Sequence, residues 1–188
     1  MAYSPNGVLI ASANESAEQG KSSVRVWDLR TSEILDLGEG GAQSPSVAFS
    51  PGGKSLACAS AEPTGVLRVW NLQTGMMRVL KGAAGESSSI SFSPDGKCIA
   101  AADSFRINPE IRVWDLETGT ARSIGSSRRQ ITSLAFSADG KSVASGSWDE
   151  MLACGTFKPG KPECWERTVR VFAALRVQQM VEDCCRLA

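Results

Sequence analysis

The residue types that most often carry catalysis or bind metals are sparse in this 188-residue chain. It contains no histidine, which excludes His-dependent catalytic triads and the commonest metal ligand. Four cysteines outside the repeated pattern described below lack the paired Cys-x2-Cys spacing of a zinc site; they are Cys154, Cys164, Cys184 and Cys185. No glycine-rich loop links a strand to a helix as a phosphate site would require. We therefore expect no catalytic centre, no bound metal and no cofactor.

Charge and hydropathy narrow the range of partners. Twenty basic residues balance twenty acidic ones, and no basic stripe is present, so no nucleic acid is expected. The sequence shows neither a signal peptide nor an apolar stretch long enough to span a membrane, so we expect an intracellular protein, cytoplasmic or nuclear. Cys185, fourth from the end, formally fits a prenylation box and is the remaining route to a membrane.

One sequence pattern occurs four times along the chain. Its opening, small-aromatic-Ser-Pro-x-Gly, occupies residues 2–7, 48–53, 91–96 and, as AFSADG, 135–140. Its closing, Val-Arg-Val-Trp-Asp-Leu with small changes, occupies residues 24–29, 67–72, 111–116 and, in decayed form, 169–174. Trp27, Trp70 and Trp114 follow one another at 43 and 44 residues. A period of about 40–45 residues indicates one supersecondary unit repeated along the chain.

The third copy shows which elements each unit contains. Pro94-Asp95-Gly96 predicts a turn, because proline presets φ and glycine supplies a positive φ. Short apolar runs on both sides of this turn, and of a second turn at 115–119, predict four short strands. The runs carry apolar residues on both faces, which is typical of a sheet packed between two other sheets.

These motifs resemble the WD-repeat β-propeller family, over residues 1 to about 172. The resemblance implies an all-β fold of four-stranded blades, with the tryptophan at the end of the third strand. The blades would cover approximately residues 1–37, 44–80, 88–124 and 131–172. We expect a four-blade arc or partial propeller; an open arc of a larger ring and a small or self-associating propeller both remain possible.

The chain departs from the family in two respects. The buried Trp-Ser/Thr-His-Asp network cannot form without histidine, so strand pairing and apolar packing should hold the blades together. The residues that mark the repeats are Trp27, Trp70, Trp114, Phe172 and Asp149, the last being the only aspartate at the family's usual turn position. The fourth repeat contains an apparent insertion at 151–167, and the tail at 173–188 has the apolar spacing of a short helix.

The resemblance implies a non-catalytic scaffold that binds a protein or peptide through loops on the top face. Loops between second and third strands vary in length along the sequence, and such variation is typical of a binding side. Phe105 and Arg106 lie in one of these loops, and Phe157 and Trp165 lie in the insertion. We predict that these four residues contact the partner, because aromatic and arginine side chains anchor interfaces.

Three other interpretations remain open. Trp27, Asp28 and Arg30 resemble the Trp-Asp-x-Arg box with which WD-repeat substrate receptors dock on a cullin-RING ubiquitin ligase. A metal-dependent propeller hydrolase or lactonase is the alternative of a different class, and it would need carboxylates converging on a central channel. Open blade faces would also expose apolar surface and favour self-association.

Overall fold

The computed structural model describes residues 1–15, 22–41, 46–60, 66–81, 87–103, 109–148, 151–156 and 168–170. Within these ranges the chain is all β, with four antiparallel sheets of four strands each and no helix. Each sheet is a meander in which consecutive strands are neighbours, and we call each sheet a blade.

Blade one contains β1 (Ala2–Tyr3), β2 (Leu9–Glu15), β3 (Ser22–Asp28) and β4 (Ile34–Gly41). Blade two contains β5 (Ser46–Phe49), β6 (Ser55–Ser60), β7 (Val66–Asn71) and β8 (Met77–Lys81). Blade three contains β9 (Ser87–Phe92), β10 (Cys98–Asp103), β11 (Glu110–Asp115) and β12 (Ala121–Ser126). Blade four contains β13 (Ile131–Phe136), β14 (Ser142–Ser147), β15 (Met151–Thr156) and β16 (Thr168–Arg170).

The Ser-Pro-x-Gly motif forms the turn between the first and second strands of each blade. Its serine is buried, and the serine hydroxyl accepts a hydrogen bond from the backbone N–H five residues later, at 2.8–3.0 Å in all four blades. Its glycine has φ between 67° and 70°, a region that side chains disfavour. The motif is therefore a turn whose buried polar group has its own partner.

The two kinds of turn lie on the same edge of the blades, as the sequence predicts. The backbone N–H of Leu29, Leu72 and Leu116, each in a turn between third and fourth strands, donates to a carbonyl of the first turn in its own blade. These N–O distances are 2.8–2.9 Å. We call this side the turn edge; the opposite side, where second strands pass to third strands and one blade passes to the next, is the loop edge.

Neighbouring blades pack through a ladder of apolar side chains that crosses all four strands. In blade two the ladder is Phe49, Leu56, Trp70 and Met77, joined by cross-strand pairing. Phe49, Leu56 and Trp70 form one hydrophobic cluster with the side of blade one that carries Val24 and Val26. Equivalent clusters join blade two to three and blade three to four. The core is thus three seams between sheets, with large side chains against small ones.

At the second seam the tryptophan also makes a polar contact. Trp114 is 1% exposed, and its indole Nε1–H donates to the carbonyl of Lys81 in blade two at 3.2 Å. Trp70, at the first seam, is 2% exposed. Burial of these two side chains explains why tryptophan recurs at this position in the sequence.

The turns of neighbouring blades also stack on one another. A Cβ placed on Gly53, Gly96 or Gly140 would lie 3.4–3.8 Å from the Cδ atom of the proline in the preceding turn. The prolines are Pro5, Pro51 and Pro94. Proline and glycine in this motif therefore act between blades as well as within the turn.

The fourth blade differs from the boundaries that the sequence predicts. Its third strand is Met151–Thr156, inside the expected insertion, and Thr168–Arg170, expected as the third strand, pairs as the fourth. Pairing β14 with the segment directly after it closes a much shorter loop, which costs less entropy. Because Thr156 pairs with Ser142, β15 ends at the turn edge.

Two expectations fall outside the described residues. Asp149 and Phe172, predicted to mark the fourth repeat, lie outside the described residues. The tail at 173–188 also lies outside them, so the helix predicted there has no support in the structure. In the described part of the chain, the hydrophobic clusters join consecutive blades and none joins blade four to blade one.

Candidate functional site: a groove between blades one and two

The turn between the third and fourth strands is built on one acidic or amide side chain. Asp28, Asn71 and Asp115 occupy the same position, and one side-chain oxygen of each accepts hydrogen bonds from the backbone N–H groups two and three residues later. These bonds hold the pKa values of the Asp28 and Asp115 carboxyls below their usual range. The residue after the tryptophan thus has a structural role in this turn in each of the first three blades.

Across the second seam, an arginine fills the space at the turn edge. The Arg78 guanidinium, in β8 of blade two, donates to the carbonyl of Leu116 in the adjacent turn of blade three. Gly119 leaves room for it, because a Cβ there would lie 2.6 Å from the arginine Nη2 atom. The second seam is therefore closed at this edge by an arginine against a carbonyl.

Across the first seam the same position is Leu35, and the space is open. Leu35 pairs with Val26 as Arg78 pairs with Val69, so the two residues are equivalent in their blades. No residue in the described part of the chain donates to the carbonyl of Leu72, the counterpart of Leu116. A groove of about 460 Å³ occupies this place; its lining residues are Leu9, Val26, Asp28, Glu33, Ile34, Leu35 and Leu72.

The groove is apolar with two carboxylates at its side. Asp28 is already engaged, since its second oxygen lies 3.5 Å from Nη2 of Arg30, in addition to the turn bonds on its first oxygen. Glu33 accepts one hydrogen bond, from the Thr31 hydroxyl at 3.3 Å, and no cation among the described residues pairs with it. The groove therefore presents carbon surface and one carboxylate that has no counter-ion among the described residues, and Leu72, whose carbonyl receives no donor from them, is part of its lining.

A second exposed surface is the outer face of blade one. In blades two and three, a ladder of apolar side chains packs against the preceding blade. The equivalent ladder in blade one consists of Tyr3, Ile10, Trp27 and Ile34. Here no preceding blade covers it among the described residues: Tyr3 is 68% exposed, Ile34 is 59% exposed, and Trp27 is half-buried.

The residues predicted as sites are placed as follows. Trp27 and Asp28 end β3, and Arg30 lies in the turn after it with its side chain 73% exposed, so these three share the turn edge with the groove. Phe105, Arg106, Phe157 and Trp165 lie outside the described residues, and their contacts stay predictions.

Residues that could bind a metal ion are not clustered in the described ranges. No group of three or more histidine, cysteine, aspartate or glutamate residues there could hold a metal ion. Burial raises the pKa of the Cys58 thiol to about 12, so this thiol stays protonated. Nor does the described part of the chain contain a helix with the length and apolar character needed to cross a membrane.

The groove was missed by sequence reasoning, although a signal for it was present. Aligning the fourth strands places Leu35 against Arg78 and Arg122, and Glu33 against Met76 and Thr120. A missing arginine beside an added carboxylate is visible in that alignment. Its meaning depends on knowing that this position reaches the next blade, which only the structure gives.

Four-stranded meanders, seams that bury a recurrent tryptophan, and Trp-Asp turns on one edge define a WD-repeat protein. In agreement, the family model described as WD domain, G-beta repeat matches residues 120–154. A second family model, Eukaryotic translation initiation factor eIF2A, matches residues 18–128. This match spans more than half of the chain, and the chain therefore belongs to that family, which is of the WD-repeat type. No curated protein matches the chain. WD-repeat proteins are generally non-catalytic scaffolds for protein binding.

Proposed function

We propose that the chain is a non-catalytic scaffold, inside the cell, that binds a protein partner during translation initiation. The observation that carries this proposal is the match of the eIF2A family model to residues 18–128, a range that includes the third and fourth strands of blade one and the whole of blades two and three. Three seams fix neighbouring blades against one another, so the connections between strands are presented by a rigid frame. Binding residues are commonly found on such connections.

The loop edge is the surface that we assign to the partner. The described turns at the turn edge are short and have internal hydrogen bonds, and the groove lies beside one of them. Second strands end and third strands begin at the loop edge, and Phe105 and Arg106 stand in the sequence between β10 and β11. An aromatic ring and a guanidinium on a rigid frame are suited to anchor a protein interface.

Affinity capture from an extract of translating cells, with quantitative mass spectrometry, tests this assignment. The tagged chain should enrich translation initiation proteins, and the double variant Phe105→Ala, Arg106→Ala should lose about tenfold or more of them, as expected for an interface anchor. The double variant Phe157→Ala, Trp165→Ala measures the other predicted contact pair separately. An unchanged circular dichroism spectrum and melting temperature confirm that each variant is folded.

The variant Arg30→Ala separates the main alternative. Arg30 is the exposed residue of the Trp-Asp-x-Arg box, on the turn edge. If Arg30→Ala abolishes capture, the captured proteins include a ubiquitin-ligase adaptor, and the loop-edge variants bind normally, the chain is a substrate receptor and the translation proposal is wrong.

A further inference from the structure

We propose that the groove between blades one and two binds an arginine side chain of a partner peptide, flanked by an apolar residue. An equivalent contact exists within the chain at its second seam, where the Arg78 guanidinium donates to the carbonyl of Leu116. At the first seam the arginine is replaced by Leu35, and the equivalent carbonyl, of Leu72, receives no donor from the described residues.

The charge of the groove matches this occupant. Glu33 has no counterpart in the next two blades, where Met76 and Thr120 take its position. Of the first two seams, the one that lacks an arginine at this position is thus the one that carries an additional carboxylate. A guanidinium presents several N–H donors in a plane, so it can bind a carbonyl and a carboxylate together.

The apolar part of the lining selects what accompanies the arginine. Leu9, Val26 and Leu35 line the groove from the side of blade one, and Leu35 is 45% exposed. The methylene groups of an arginine stem and one neighbouring aliphatic side chain would cover this surface. A volume of about 460 Å³ is enough for these two side chains and too small for a folded domain.

Binding is tested with a capped pentapeptide that has a central arginine between two leucines, titrated into the ¹⁵N-labelled full chain. The amide signals of Glu33, Leu35 and Leu72 should shift on titration. A peptide with citrulline, which has the same shape without the charge, should bind about tenfold more weakly, the loss expected for a charge-assisted hydrogen bond. Equal binding of the two peptides would overturn the proposal.

Two variants of the chain provide the matched test. Leu35→Arg places an arginine at the first seam in the position that Arg78 has at the second seam. Its side chain should occupy the groove, abolish peptide binding and raise the melting temperature. Glu33→Gln keeps the shape of the side chain and should weaken the arginine peptide about tenfold while leaving the citrulline peptide unchanged. Undiminished binding of the arginine peptide to folded Leu35→Arg, or to Glu33→Gln, would contradict the assignment. The readout does not depend on whether the loop edge binds initiation proteins.

Discussion

Ser32 has a positive φ of 61°, the only such value for a residue other than glycine in the described ranges. It closes the turn after β3, and the same position in the next two blades is Gly75 and Gly119, with φ of 70° and 75°. An L-residue pays about 1–2 kcal/mol in this left-handed region. Blade one thus contains a strained turn beside the groove.

Replacing Ser32 with glycine should stabilise the folded chain. The expected gain in the free energy of unfolding is about 0.5–1 kcal/mol, because relief of strain outweighs the added freedom of glycine in the unfolded chain. Urea denaturation measures it. The matched control is Gly75→Ser, where a Cβ meets nothing within 4 Å, so only the strained φ should destabilise the chain. A loss of stability in Ser32→Gly would refute this account of the turn.

Two aspartates of the Ser-Pro-x-Gly turns should make stability depend on pH in the acid range. Asp95 and Asp139 accept a hydrogen bond from the turn serine at 2.6 Å and from a lysine backbone N–H at 3.0 Å. These bonds hold the pKa of each carboxyl below its usual value of 3.8. A lowered folded pKa means that the stabilisation is complete above the usual value and is lost as pH falls through the folded one.

The double variant Asp95→Asn, Asp139→Asn should therefore lose less stability on acidification than the parent chain. Asn6 shows that an amide is accommodated, since its side-chain oxygen accepts from the Ser4 hydroxyl at 2.7 Å in blade one. Urea unfolding between about pH 7 and about pH 3 compares the two chains over the range in which carboxyls titrate. Parallel stability curves would show that these carboxylates contribute nothing.

At the scale of the elements, the three seams carry most of the packing, so a tryptophan in a seam should contribute more stability than one outside it. Trp114→Ala removes a fully buried ring and its hydrogen bond to Lys81, so the free energy of unfolding should fall by about 3–5 kcal/mol. Trp27→Ala removes the equivalent ring on the uncovered face of blade one, and the loss should be clearly smaller. Denaturant unfolding of both variants measures the difference; equal losses would mean that the Trp27 face is covered too.

Most strands were predictable because turns and tryptophans mark them. The Ser-Pro-x-Gly and Trp-Asp motifs fix where strands end, and the first three blades follow that pattern. The third strand of blade four was misassigned, because Val169-Arg170 resembles the closing motif, whereas Met151–Thr156 pairs with the strand directly before it. Pairing between segments that are close in sequence closes a shorter loop and costs less entropy, so similarity to the closing motif did not identify the third strand.

The candidate site was less predictable than the fold, for a physical reason. Periodicity identifies which residues face a neighbouring blade, but it does not tell which of them reach across a seam to a backbone carbonyl. The contact between Arg78 and Leu116 joins positions 38 residues apart. The groove exists because one such contact is missing, and an unfilled space leaves no motif in the sequence.

At the scale of the whole molecule, the described chain is a WD-repeat frame with two different edges, one made of internally bonded turns and one where second strands end and third strands begin. Its described residues contain no group of three or more potential metal ligands, and its family is that of a translation initiation factor. The central claim is that this frame binds partners in translation initiation.

Sedimentation of the tagged chain with initiation complexes tests that claim most directly. In a translating extract stalled at initiation and separated on a sucrose gradient, the chain should sediment with the initiation complexes. The double variant Phe105→Ala, Arg106→Ala should remain at the top of the gradient, while Glu33→Gln sediments like the parent. A parent chain that stays at the top of the gradient under all conditions would contradict the account.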